Sequence, residues 1–64
     1  MKTFTFHIGE GDFVTSQGEN VEEAKGKILV EGKPLRPEAI EYVIDNDGYQ
    51  YVWQEDEWLT MKTY

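Results

Sequence analysis

The 64-residue chain contains no cysteine. That excludes a disulfide framework and any thiolate metal site, the two devices on which very small folds often rely. There is a single histidine, His7, with no arrangement of serine, cysteine and acid around it that would make a nucleophile. No stretch approaches the roughly 20 apolar residues that span a bilayer. The N-terminus carries one lysine and then alternates, with no apolar run, so no export signal is expected and a cytoplasmic protein is. Basic residues are also scarce. Six Lys and Arg face 13 Asp and Glu, for a formal charge of −7.

The imbalance is uneven. Residues 1–36 hold six acids and five bases, a net −1. Residues 37–64 hold seven acids and one base, Lys62, a net −6. Direct binding to nucleic acid needs cations that neutralise phosphates, so it is disfavoured. A basic protein partner fits better, since opposite charge speeds encounter. Net negative charge also serves solubility, which is the plainer explanation.

What is present is aromatic bulk: three Phe, four Tyr and two Trp. A chain of this length forms one domain, residues 1–64, and buries only about 60% of its unfolded surface. Large aromatic side chains are the most economical way to fill so thin a core.

The stretch KTFTFHI alternates, with Phe4, Phe6 and Ile8 on one side and Thr3, Thr5 and His7 on the other, as in a half-buried strand. A two-residue turn at Glu10 and Gly11 leads to a second strand, FVTSQ. It sets Phe13 opposite Ile8 on the face of Phe4 and Phe6. The period then changes. Asn20 can cap a helix and Glu23 can reach back to it. Val21, Ala24 and Ile28 form an apolar stripe. Gly32 is placed to end the helix; alternatively it ends near Gly26 and KILVEG is a strand. The small Ala24 and Gly26 would let the helix lie close to the sheet. Pro34 and Pro37 mark a loop.

The remainder reads as a hairpin followed by a last strand, WLTMKTY. Ile40, Tyr42 and Ile44 share one face of the first strand, and Tyr49, Tyr51 and Trp53 share one face of the second. An even loop keeps these together, whereas an odd loop would set Ile44 against Gln50. Val43 and Val52 would then lie on the outer face. The expected fold is α+β: an antiparallel sheet of four to five strands in the order β-β-α-β-β, with one helix packed on one face.

Two chemistries fail on spacing and a third on charge. DNDG resembles a calcium loop, but with Gly48 at its sixth position, Val43 and Gln54 occupy the two anchoring positions that require acids. GEG lacks the lysine and glycine spacing of a phosphate loop. Tyr49, Tyr51 and Trp53 have the stacking chemistry of a single-strand binder but not its charge. No catalytic residue, cofactor or metal is expected.

The candidate site is therefore a surface. Glu41, Asp45 and Asp47, with Glu55, Asp56 and Glu57, would form a carboxylate rim, and Trp58 would supply a desolvated anchor. The strand hairpin followed by VEEAK, over residues 4–29, resembles a recurring pattern in small phage-encoded proteins, including the T7-type inhibitor of host RNA polymerase. It also resembles the double-stranded-RNA-binding-like fold of HicB-type antitoxins. The acidic C-terminal half is similar in character to DNA-mimic inhibitors. The resemblance implies an inhibitor that occludes a basic, nucleic-acid-binding surface of a host protein. The alternative is an antitoxin-like or structural module that acts as a homodimer through its open sheet face.

Overall fold

A computed structural model describes residues 1–9 and 11–62. Glu10, expected in the first turn, and Thr63 and Tyr64, expected in the last strand, lie outside it. The elements are β1 (Lys2–Gly9), β2 (Asp12–Gly18), α1 (Val21–Gly26), β3 (Leu29–Val30), β4 (Lys33–Pro34), a 3-10 turn (Pro37–Ala39), β5 (Tyr42–Asp45), β6 (Tyr49–Gln54) and β7 (Glu57–Lys62). Five strands form one antiparallel sheet in the order β2-β1-β5-β6-β7, while β3 and β4 pair separately. The fold is α+β and mostly sheet. No helix among the described residues is long and apolar enough to cross a membrane.

Phe4, Phe6 and Val43 are the largest fully buried side chains, joined by Val21, Ala24, Ile28, Leu35 and Ile40. Burying a side chain such as Phe or Val contributes about 1.5–3 kcal/mol. The alternation of β1 is as expected. Its register with β2 is not. A bulge between His7 and Gly9 shifts the pairing, so Phe13 lies opposite His7 rather than Ile8. One extra residue in a strand moves everything beyond it to the other face. Phe13 thus points away from the core and is 62% exposed.

The helix stops at Gly26, so of the two readings the shorter holds. The Lys27 N–H donates to Ala24 and the Ile28 N–H to Lys25, tightening the last turn. Glycine is a poor helix former, and the next residues find a better use: Ile28 and Leu35 enter the core while β3 and β4 pair between them. Pro34 sits in that two-residue strand, where a missing N–H is tolerated. At the other end, the Asn20 side chain accepts from the Glu23 N–H at 2.8 Å. The Glu23 carboxylate accepts from the N–H of Glu19, one residue earlier than a capping box would have it.

The close approach between helix and sheet is made by Gly18 and Ala24. A Cβ on Gly18 would lie 2.8 Å from the Ala24 nitrogen, whereas one on Gly26 would meet nothing within 4 Å. The Ser16 hydroxyl donates to the Ala24 carbonyl at 2.9 Å across the same contact.

Candidate protein-binding surface

The surface is decided by the turn between β5 and β6. Val43 pairs with Tyr51 and Ile44 with Gln50, so the loop is the three residues 46–48, an odd number. The Gly48 N–H donates to the Asp45 carbonyl at 3.2 Å, and Gly48 has φ 88°. This is a type I turn closed by a left-handed glycine, with Asp at its first position and Gly at its fourth, where each is favoured. Contrary to expectation, the odd loop that sets Ile44 against Gln50 does not spoil the two faces. It turns Val43 and Asp45 inward beside Tyr51, and Tyr42 and Ile44 outward with Val52.

Asp45 is consequently not on a docking rim. It is 4% exposed. Its Oδ1 accepts from the Asp47 N–H at 2.8 Å and the Tyr49 N–H at 3.0 Å. Its Oδ2 accepts from the Tyr51 hydroxyl at 2.7 Å and lies 3.5 Å from Lys2 Nζ. Burial pushes the carboxyl upward, but the donors from Tyr51, Tyr49 and Asp47 and the Lys2 charge outweigh it and hold the group below its ordinary 3.8. The same contact works on Tyr51. Burial first, then the bond to Asp45 and its charge, raise the phenol well above its ordinary 10.0. Asp45 is a structural clamp on the β5–β6 turn.

The other acids separate into two groups. Asp47 lies at the end of the sheet that carries Lys2, with Lys2 Nζ 3.6 Å from its carboxylate. Tyr49 sits there too, its ring centroid 5.6 Å from Lys2 Nζ and 5.9 Å from Lys62 Nζ. Glu41, Glu55, Asp56 and Glu57 lie at the opposite end, about 20 Å away along the six residues of β6. Glu41 immediately precedes β5, and its N–H donates to the His7 carbonyl at 2.7 Å. Asp12, at the start of β2, joins this end. Five carboxylates thus stand across the ends of the strands, and those strand ends and turns carry no Lys or Arg. The β6–β7 turn is formed by Glu55 and Asp56, with φ of 52° and 62°. Such a turn favours Asn and Gly, and other residues are strained there.

Trp58 is half-buried and packs against the core. Its ring meets Trp53 edge-on at 5.1 Å, and its N–H donates to Glu22 of the helix at 2.7 Å. It ties β7 to α1 and is not a free anchor.

Of the apolar residues that reach solvent, Leu29 and Val30 belong to the separate β3–β4 pair, while Phe13, Leu59 and Met61 lie on the face of the five-stranded sheet opposite the buried cluster. Phe13, His7 and Tyr42 form one row across β2, β1 and β5, with the His7 and Tyr42 rings stacked at 4.3 Å. By the same register Val52 and Leu59 continue that row, and Ile44, Gln50 and Met61 form the next. Leu59 is 38% and Met61 49% exposed. The alternation in EWLTMK is a local signal that puts Leu59 and Met61 on one side. An even loop would turn Tyr42 and Ile44 to the side of Tyr49, Tyr51 and Trp53; the odd loop turns them away from it. Comparison with known protein families, with curated proteins and with solved structures finds nothing that matches this chain.

Proposed function

We propose that this chain is a non-enzymatic binding module that docks through its acidic end onto a basic surface of another protein, in the manner of an inhibitor that occupies a nucleic-acid-binding site. In this reading α1 and the segment after it cover one face of the sheet. The strand ends then stand clear as a carboxylate edge. The observation that carries the reading is the gathering of Asp12, Glu41, Glu55, Asp56 and Glu57 at one end, while at the other Lys2 and Lys62 stand with Asp45 and Asp47. The β6–β7 turn adds support. It keeps two acids in left-handed backbone where Asn-Gly would relieve both strain and charge repulsion.

Carboxylates spaced by strands about 4.8 Å apart present a row of anions to a basic groove. Their long-range field would raise the association rate, and salt would screen it. The test is capture of partners from a lysate of the source cell by wild type, by a Glu41→Lys/Glu55→Lys/Glu57→Lys triple variant, and by a Glu19→Lys/Glu31→Lys control. The expected result is a captured protein that nucleic acid displaces. Its affinity should fall about tenfold between about 50 and 300 mM salt, and the triple variant alone should lose it. Capture that survives the triple variant and ignores salt would remove the acidic end from the account.

A further inference from the structure

We infer that the open face of the sheet is a self-association surface, covered in solution by a second copy of this chain. The first observation is where charge is missing. Three strand positions each from β1, β2, β6 and β7, and two from β5, point to this face, which makes fourteen. The chain is 30% charged, so fourteen positions taken at random would carry about four Asp, Glu, Lys or Arg. This face carries one, Glu57, at its margin. Its apolar residues are Tyr42, Ile44 and Val52 on the central strands and Phe13, Leu59 and Met61 on the flanking strands β2 and β7, set among threonine, glutamine and His7. Aromatic and methionine enrichment with charge confined to the rim is the composition of an interface centre.

The second observation selects the occupant. Each copy carries −7, and contact through the acidic ends would bring carboxylate against carboxylate. A basic partner would gain nothing from a face with no acid at its centre. Another copy brings a matching neutral face, and its Thr and Gln side chains can both donate and accept. The arrangement follows from the two ends of the sheet. A two-fold axis running across the strands sets the acidic end of one copy over the partner's end that carries Lys2, Lys62, Asp45 and Asp47, where the charges nearly cancel. An axis along the strands would instead stack the two acidic ends. The first arrangement is therefore selected. The sheets would pack face to face about 10 Å apart.

Size sets the strength. Five strands at about 4.8 Å and about five residues of length make a face of roughly 400 Å² in projection. Two such faces fall short of the roughly 1,200 Å² of a standard interface, so the dimer is weak and depends on concentration.

The experiment is sedimentation velocity on the whole chain from about 10 μM to about 1 mM at low and high salt, with an amide-shift dilution series by NMR. The expected dimer tightens as salt rises, because screening relieves repulsion between like-charged copies. Docking of the acidic end on a basic partner weakens with salt, so the two readings fail separately. Leu59→Lys and Met61→Lys, at positions already exposed, should each abolish the dimer although they lower the net charge. Glu31→Lys should keep it. Shifts on dilution should map to residues 5–7, 13–15, 42–44, 50–52 and 59–61. A monomer at about 1 mM in high salt would overturn the inference. So would a dimer that persists in both lysine variants, or shifts confined to the outer edge of β7.

Discussion

Replacing Asp45 by alanine is the sharpest test of how this chain holds its shape. The substitution leaves three donors without their acceptor: the Asp47 and Tyr49 N–H groups and the Tyr51 hydroxyl. A hydrogen bond to a charged acceptor is worth about 1.5–3 kcal/mol. Asp47 is exposed and its N–H can recover water, so the losses do not sum fully. About 3 kcal/mol is expected. A domain of this length has about 3–10 kcal/mol in all. The midpoint of thermal unfolding, followed by circular dichroism, should therefore fall by about 15 °C or more. Asp45→Asn keeps an oxygen for the N–H donors and should cost about half as much. A double-mutant cycle with Tyr51→Phe should return a coupling of about 1 kcal/mol. An Asp45→Ala loss below about 1 kcal/mol, or no coupling, would refute the buried clamp.

The same site fixes a pH signature. The folded Asp45 carboxyl lies below its ordinary value, so its contribution is complete above about pH 4 and is lost as pH falls through the folded value. The folded Tyr51 phenol lies above its ordinary value. Its contribution is complete below about pH 10 and is lost as pH rises further. Asp45→Asn should flatten the acid limb of a denaturation series run from about pH 5 to 2.

Three other substitutions test the local arguments by the same unfolding measurement. Gly18→Ala forces a methyl into the Ala24 backbone and should cost about 2–3 kcal/mol, whereas Gly26→Ala enters open space in a helix and should stabilise by about 0.5–1 kcal/mol. A larger loss for Gly26 than for Gly18 would invert the account of the helix contact. Asn20→Ala removes the acceptor for the Glu23 N–H and should cost about 1 kcal/mol. Glu55→Asn with Asp56→Gly relaxes the β6–β7 turn and should stabilise by about 1 kcal/mol, with the structure unchanged; destabilisation would mean the acids make contacts that hold the turn.

Local pattern carried much of the fold. The alternation of KTFTFHI placed Phe4 and Phe6 in the core, and Asn20 marked the helix start. Two glycine-bearing turns limited how far such reasoning reached. DNDG has Asp at the first and Gly at the fourth position of a type I turn. That signal was present, but Asp-Gly as a two-residue turn competes with it, and the choice inverts every side chain of β5. The bulge after His7 left no comparable mark, and it alone moved Phe13 from core to solvent.

Of the candidate surface, the carboxylates of 55–57 and Glu41 could be brought together from strand length alone, while Asp45, Asp47 and Trp58 went elsewhere. The sequence by itself determined the strand and helix periods, the charge and the scarcity of cations, because these depend on nearest neighbours and composition. Only the tertiary structure decided which face each strand of the second hairpin presents. Strand parity is a long-range quantity, and it was set here by whether one aspartate could find three hydrogen-bond donors inside the fold.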